Sequence, residues 1–415
     1  MNKIFLTTIL LLLLGRVWGQ NNTNSPYSVF GIGELNNTGG GRNAAMGGSG
    51  LALRSNLSLN GANPASLTAI EPKTFGFDMG MNLRYSNLEN KYKSANVLNG
   101  NISWVQIGFP VLPFLSAGLS LNPKSSVGYS IYSTKSLEGT NSSYPVLYTG
   151  EGGLSESAFS LGIKCFKNFS LGLSSAFIWG NMNRRTDEFP PVGSISSIVI
   201  NENINYSGYE LRSGFQFYQN LAPKVKLTLG GMAEYSGKLN TESELTISTS
   251  TSSSSSELIR ESTDIDNMEL PLKLGLGMAL TFNDKTTVTF DYNRSDWRDA
   301  NVNLSSKKLN INESYHFGVE LAPQYDPAKM RQVTKYQAGA MYQTGYINIY
   351  GIPIDSYGIT LGCSVPIRRD KSFINISVEA GQQGSLQKML VRESYLKLNC
   401  SFNLWERWFV KRSYD

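Results

Sequence analysis

Hydrophobic and polar residues alternate along most of this chain from Lys73 onward. In the stretch FGFDMGMNLRY, residues 75–85, every odd position is a large apolar residue or Tyr, and every even position is Gly or polar. Successive side chains of a β-strand point to opposite faces, so this pattern predicts a strand with one apolar and one polar face. The same pattern predicts fourteen strands, with approximate cores at 74–87, 93–109, 114–128, 149–164, 168–183, 204–218, 223–240, 268–282, 285–298, 312–324, 335–349, 354–366, 371–382 and 389–405.

The connections between these segments alternate between two kinds. Every second connection is mostly short, as in FKN at 166–168 and NDK at 283–285, whereas the others, such as 184–203 and the serine tract at 248–264, are mostly long and polar. Short turns at one end and long loops at the other are typical of outer-membrane β-barrels, with the short turns in the periplasm. A soluble β-sandwich has shorter strands and no reason to separate long from short connections. The pattern therefore predicts an all-β fold, a 14-stranded antiparallel transmembrane β-barrel.

The start of the chain indicates export. Lys3 is followed by an apolar run from Ile4 to Leu14, and small residues then precede Gln20. This order is typical of a secretory signal peptide over residues 1–19, and the run is too short to span a bilayer as a helix. Together with the barrel pattern, it predicts a multi-pass barrel in the outer membrane of a Gram-negative cell, after removal of the signal peptide.

Composition narrows the function. The formal charge of +5 falls to +3 once Lys3 and Arg16 are removed with the signal peptide, which is too weak to favour nucleic acid as a partner. His316 is the single histidine, so a cluster of histidines around a metal is excluded, and no nucleophile-elbow pattern accompanies it. We therefore predict that the protein is not an enzyme, has no cofactor and has no metal site.

A segment without strand character precedes the barrel. It contains GGGRNAAMGGSGLALRSNLSLNGANPASLTAI at residues 39–70, with Asn63, Pro64 and Ala65 ten residues ahead of Phe75. By itself Asn-Pro-Ala is an ordinary turn sequence. The Gly- and Ala-rich lead, the motif and the fourteen strands behind it resemble the FadL-type transporters of long-chain fatty acids and aromatic hydrocarbons. The stretches SPYSVFGIGEL and WERWFVKRSYD resemble the Bacteroidota branch of that family.

The resemblance implies a plug, or hatch, that folds into the barrel from the periplasmic side. Together with the signal-peptide and strand patterns, it divides the chain into a signal peptide at 1–19, an N-terminal extension and lumen plug at 20–72, the barrel at 73–408 and a periplasmic tail at 409–415. Asn63, Pro64 and Ala65 are then the predicted plug or gate residues. Lipid cannot satisfy free backbone groups, so irregular backbone is expected only inside the closed barrel.

The polar faces of the strands are expected to line the lumen. These charged side chains either orient the head group of a ligand or simply pair with each other and with the plug backbone, and the second interpretation is favoured. The predicted lumen-facing residues are Asp78, Arg84, Lys273, Asp291, His316, Glu320, Glu379 and Lys397.

The leading hypothesis for function is inward transport of a small hydrophobic or amphipathic molecule. The resemblance implies capture outside, a shift of the plug, and release, with a hydrophobic ligand such as a fatty acid and the outer-membrane lipid as partners. The alternative is a non-transporting barrel subunit of a larger outer-membrane secretion or assembly complex, with other outer-membrane proteins as partners. A weaker third hypothesis is an open diffusion pore.

Overall fold

A computed structural model describes residues 23–36, 39–137, 139, 141–191, 195–251, 255–300, 309–323, 334–368 and 372–407. The predicted signal peptide and the predicted periplasmic tail at 409–415 lie outside these residues. In the described part, twenty β-strands account for most of the chain. They are β1 (Glu34–Leu35), β2 (Thr74–Glu89), β3 (Ser94–Leu112), β4 (Leu115–Pro123), β5 (Ser125–Ser136), β6 (Ser143–Phe166), β7 (Phe169–Glu188), β8 (Ile195–Ala222), β9 (Val225–Ser236), β10 (Lys238–Thr251), β11 (Ser255–Glu269), β12 (Lys273–Phe282), β13 (Thr286–Asp296), β14 (Ile311–Leu321), β15 (Lys335–Gln343), β16 (Asn348–Ile349), β17 (Ile352–Pro353), β18 (Ser356–Arg368), β19 (Ser372–Gln383) and β20 (Arg392–Arg407).

The long strands form one closed antiparallel barrel. Apart from three breaks described next, each long strand pairs with the neighbouring long strand in sequence, and β20 returns to pair with β2, from Thr74 opposite Arg407 to Glu89 opposite Arg392. Three wall strands are divided in two, as β4 with β5, β9 with β10, and β11 with β12. Counting each divided strand once gives fourteen, so the predicted 14-stranded antiparallel barrel is confirmed.

The two faces of the wall differ as the alternation requires. On β7, Leu173 and Trp179 point outward and are 55% and 45% exposed, whereas Ser170 and Ser174 point inward and are buried. Outward apolar side chains match the hydrocarbon of a bilayer, and inward polar ones match a lumen. The closed ladder also leaves no unpaired sheet edge against the lipid around most of the circumference.

The long connections are more ordered than the sequence suggested. The sequence pattern places the serine tract at 248–264 in a long polar connection, but its described residues belong to the β10–β11 hairpin, which continues the sheet from the edge of β8. Likewise β5, β6, β7 and β8 run far into the predicted loops, and β8 is 28 residues long. Serine and threonine carry no apolar alternation, so the pattern missed strands whose ladder is held by backbone hydrogen bonds.

Helical structure is short. In the part of the chain that the structure describes, it comprises α1 (Gly41–Ala45) and three 3₁₀ turns at Pro26–Val29, Pro64–Ala69 and Gln387–Met389. Among the described residues, no helix has both the length and the apolar character needed to cross a membrane. Apart from the last of these turns, the helical pieces precede β2, in the part of the chain that lacks strand periodicity.

Candidate functional site: the filled lumen

Residues 39–70, here called the inner segment, lie inside the barrel. Its α1 helix ends where Gly47 and Gly48 adopt φ values of +67° and +84°, a backbone conformation that glycine accepts without strain. Asn63 caps the 3₁₀ turn that starts at Pro64, because its side-chain oxygen accepts a hydrogen bond from the Ala65 amide at 3.0 Å. The sequence therefore folds this segment as two short turns joined by irregular backbone.

The inner segment is tied to the wall through the predicted motif residues. Asn63 and Ala65 are fully buried. The Asn63 Nδ2 group donates to Leu51 O at 2.9 Å, within the inner segment, and to Phe215 O at 3.0 Å on β8. A longer contact of 3.4 Å reaches Gly231 O on β9. One side-chain amide thus joins two parts of the inner segment to two wall strands.

Glycines on the lumen face allow this close approach. A Cβ atom at Gly214 would lie 2.2 Å from Asn63 Oδ1, and one at Gly172 would lie 2.2 Å from the Ala65 amide nitrogen. Real Cβ atoms do not come so close, so a larger residue at either position would push the inner segment away. Glycines in contact with residues 46–70 recur around the wall at Gly108, Gly118, Gly162, Gly172, Gly214, Gly230, Gly275, Gly277, Gly318 and Gly339. Sequence reasoning missed this belt, although glycine at lumen parity was a visible signal.

Several predicted lumen residues hold the backbone of the inner segment. Asp291 Oδ2 accepts hydrogen bonds from the Gly50 and Leu51 amides at 2.6 and 2.8 Å. The His316 Nδ1 atom lies 2.7 Å from Gly47 O. Glu320 forms a two-pronged ion pair with Arg42 on α1, at 2.8 and 2.9 Å. These three side chains, on β13 and β14, thereby anchor residues 42–51.

The other predicted lumen residues pair elsewhere. Arg84 bonds Glu393 at 2.8 Å and approaches Glu34 at 3.7 Å. The pair Lys397–Glu379, 3.9 Å apart, lies on neighbouring strands. Within the described residues Lys273 makes no ion pair, and it lines a cavity.

Asp78 occupies a buried polar site in the wall itself. It accepts hydrogen bonds from Trp104 Nε1 at 2.5 Å and from Asn403 Nδ2 at 3.1 Å. It therefore contacts β3 and β20 and not the inner segment.

The sequence did not predict a cluster of buried charged side chains in the lumen. Arg212 bonds Glu156, Glu210 and Glu234, each at 3.0 Å. Lys124 pairs with Glu234 at 2.8 Å and also with Glu210. Buried charges need partners, and these five residues supply one another's. All five have the polar parity of predicted strands, so the sequence indicated that they face the lumen but not that they lie together.

A second segment, residues 23–36, fills the outer half of the lumen and is here called the strap. The Tyr27 hydroxyl donates to Val391 O, and burial raises the pKa of Tyr27 to about 12, so the hydroxyl stays protonated. The Tyr346 hydroxyl donates to Gly33 O at 2.5 Å. Tyr27 and Ile32 belong to one buried apolar cluster with Trp297 and Tyr346. Side chains of the protein itself thus fill the outer half of the lumen.

The strap also bridges an interruption in the wall. The pairing of β3 with β4 reaches only from Leu112 opposite Leu115 to Val105 opposite Leu121. Beyond Pro123 the wall strand continues as β5, which pairs with β6 and, at Ser125 and Ser126, with β1 of the strap. The β1 strand therefore takes the place beside β5 that β3 holds beside β4.

Two cavities lined by described residues are small. One of about 70 Å³ lies between the strap and the wall, beside Lys124, Arg212 and Lys273. Another of about 30 Å³ lies beside the inner segment near Pro64. An apolar cavity that holds benzene measures about 150 Å³, so neither space accommodates an aromatic hydrocarbon. Among the described residues, no group of three or more His, Cys, Asp or Glu is placed to hold a metal ion.

Solved structures with this architecture include toluene transporters and a FadL homologue. The toluene transporter TodX of Pseudomonas putida matches with a TM-score of 0.62 and 18% identity, covering 92% of this chain and 100% of that one. The toluene transporter TbuX of Ralstonia pickettii matches at 0.61 and 15%, covering 90% and 99%. A FadL homologue of Pseudomonas aeruginosa matches at 0.61 and 12%, covering 91% and 100%. The chain therefore has the FadL-like barrel fold.

Sequence comparison gives the family. No curated protein matches the chain. The sequence profile of the BamG family matches residues 1–415, the whole of its length. The chain therefore belongs to the BamG family.

Proposed function

We propose that this member of the BamG family is a sealed barrel that works as a non-transporting subunit of a larger outer-membrane secretion or assembly complex. The observation that carries the proposal is that the chain occupies its own lumen. The inner segment is anchored to wall strands on all sides, from Gln106 Nε2 bonding Gly39 O on one side to Asp291 on another. A transporter needs a route for its substrate, and the two cavities described above, of about 70 and 30 Å³, are each too small to be one.

The character of the filling supports a permanent seal. Its contacts are short, buried hydrogen bonds and ion pairs, and breaking a buried ion pair by removal of one partner costs about 3–5 kcal/mol. Arg42–Glu320, Asp291 with its two amides, and Asn63 would all have to release together for the inner segment to leave. The free energy required would therefore be large compared with the binding of one small ligand.

The extracellular side supports a role in contact with other proteins. A tilted strand needs about 9–11 residues to cross the bilayer. The strands β6, β7 and β8 have 24, 20 and 28 residues, so much of each stands outside the membrane. Together with β5, β10 and β11 they form a continuous sheet beyond the barrel. Such a sheet is a large surface that transport does not require.

Transport of a small hydrophobic molecule is a second candidate function, and the wall interruption favours it. A displaced strap would open the wall beside β5 toward the lipid, and the FadL-like fold is shared with toluene transporters. In this function the inner segment, with Asn63, Pro64 and Ala65, is the gate, and a fatty acid or an aromatic hydrocarbon is the substrate class.

Isolation of the chain from its own outer membrane distinguishes the two functions. In mild detergent and native mass spectrometry, the proposal predicts a stoichiometric complex with other outer-membrane proteins and no bound hydrophobic molecule. A solitary barrel that carries a lipid-like ligand beside the inner segment would overturn it and support transport. A second outer-membrane barrel of the same cell, isolated in parallel, controls for incidental association.

A further inference from the structure

The part of β5 that lies beyond its contact with the strap, toward Ser136, has an open edge. On one side β5 pairs with β6 without interruption, from Val127 opposite Gly152 to Ser136 opposite Ser143. On the other side, the described residues pair with it only at Ser125 and Ser126, through β1. The run Ser130–Ser136 therefore has a strand on one side and an open edge on the other.

The strap shows how this edge binds a polypeptide. Glu34 lies opposite Ser126 as a strand partner, and the Asn36 amide donates to Lys124 O at 3.0 Å. Farther along β5, the Ser28 hydroxyl accepts a hydrogen bond from the Gly128 amide at 3.0 Å and donates one to Gly128 O at 2.9 Å. Ser28 thereby replaces, with one side chain, the two hydrogen bonds that a neighbouring strand would make.

Gly128 defines which backbone groups face the open side. In a strand, the N–H and C=O of alternate residues point to the same side. Because the register with β6 has no bulge, the backbone groups of Ser130, Tyr132 and Thr134 face the same way as those of Gly128. Tyr132 is 73% exposed, Ser130 and residues 133–136 are exposed as well, and Ile131 is half-buried. An extended chain can reach this row of donors and acceptors.

The other edge of the same extracellular sheet is protected differently. The β11 strand carries several charged residues, including Glu257, Arg260 and Glu261, and charged side chains are a usual means of preventing edge-to-edge pairing. The Ser130–Ser136 run carries one charge, Lys135, which pairs with Glu188 at 2.9 Å. Of the two edges, β5 is thus the one without charges that would repel a strand.

We infer that Ser130–Ser136 is a docking site for an extended, uncharged segment of a partner polypeptide, which adds to β5 as a further strand. The partner strand pairs farther along β5, toward Ser136, than the place where β1 pairs with it. Backbone hydrogen bonds supply the attraction, as in other cases of strand addition to a sheet edge. Tyr132 supplies an exposed aromatic surface beside it. The inference rests on the proposed function, because it requires a protein partner.

Amide-resolved hydrogen exchange tests the site on the isolated complex and on the same barrel after the partner is removed. We expect the amides of Ser130, Tyr132 and Thr134 to exchange at least about tenfold slower in the complex, because they gain acceptors. The amides of Leu258 and Ile259 on β11 are the control and should not change. Equal exchange at Ser130, Tyr132 and Thr134 in both samples would overturn the inference.

A pair of variants gives a second test. Thr134→Pro removes the edge-facing N–H, whereas Thr134→Val keeps it and preserves the branched shape. We expect Thr134→Pro to lower the amount of partner recovered with the barrel about tenfold and Thr134→Val to leave that amount unchanged. Heat-modifiable electrophoresis should show that both variants are folded. Full recovery of the partner with Thr134→Pro would overturn this inference but not the proposed function. Failure to isolate any complex with the unaltered chain would overturn the proposed function and this inference together.

Discussion

At the scale of single residues, the seal depends on groups that serve several contacts at once. Asn63 is the clearest case, because its amide bonds carbonyls of the inner segment and of β8. The sequence indicated Asn63, Pro64 and Ala65 as the motif of interest from their position before the first strand. It could not indicate the contacts of Asn63, since Leu51 and Phe215 are 12 and 152 residues away from it along the chain.

Replacement of Asn63 tests its part in the seal. Asn63→Ala leaves buried carbonyls without donors, at about 1–3 kcal/mol for each such group. We expect a lower unfolding temperature in detergent and faster proteolysis within residues 39–70. Asn56→Ala is the control, because Asn56 bonds Glu71 at an exposed position and should have little effect. An unchanged protease pattern for Asn63→Ala would contradict its anchoring role.

The glycine belt gives a steric test. Gly214→Ala places a methyl group 2.2 Å from Asn63 Oδ1, so we expect the inner segment to be displaced and open to a soluble protease. The matched control is Gly237→Ala in the bend between β9 and β10, where the nearest atom would be 3.6 Å away. Equal protease resistance of the two variants would show that the inner segment does not press on this part of the wall.

At the scale of elements, period-two alternation predicted the barrel strands well because lipid and lumen demand opposite side chains on the two faces. The same signal fails outside the membrane, where β10 and β11 are built largely from Ser, Thr and Glu. It also fails for the strap, whose apolar residues follow no strand or helix period. The strap is held by contacts with Tyr346 and Val391, which lie more than 300 residues away in sequence.

The charge cluster joins elements in a way that can be measured. Arg212 on β8 holds Glu156 on β6 and Glu234 on β9. Arg212→Met leaves buried carboxylates short of a partner, so we expect a loss of about 3–5 kcal/mol in the free energy of unfolding. Arg260→Met on exposed β11 is the control, and its effect should stay below about 1 kcal/mol. Similar losses for both variants would contradict the cluster's role in joining the wall strands.

Removal of the strap tests whether the strap supports the wall beside β5, where β3 does not pair. A chain that lacks residues 23–36 loses β1 beside β5 and the side chains that fill the outer lumen. Because the inner segment stays in the lumen, we expect this variant to remain closed to ions in planar bilayers but to unfold at a lower temperature in detergent than the unaltered chain. An unchanged unfolding temperature would mean that the strap does not support the wall beside β5.

At the scale of the whole molecule, a closed ladder surrounds a lumen filled by the chain that precedes it. The ladder makes the wall rigid, and the anchors from Arg42 to Thr68 spread the attachment of the inner segment over many strands. The long extracellular strands add a sheet that the membrane does not require. These features favour the proposed structural role over transport, although barrels of both kinds share one fold.

The central claim is that the inner segment stays in place while the protein works. Ser49 and Thr289 have hydroxyl oxygens 2.7 Å apart, so cysteines at both positions, with Cys165, Cys363 and Cys400 replaced by serine, can lock the segment to β13. The measurement is uptake of labelled toluene or long-chain fatty acid by proteoliposomes with lipopolysaccharide in the outer leaflet, under reducing and oxidising conditions. The account predicts no uptake above protein-free vesicles in either condition. Uptake by the reduced form that stops on oxidation would contradict it and identify residues 39–70 as a gate.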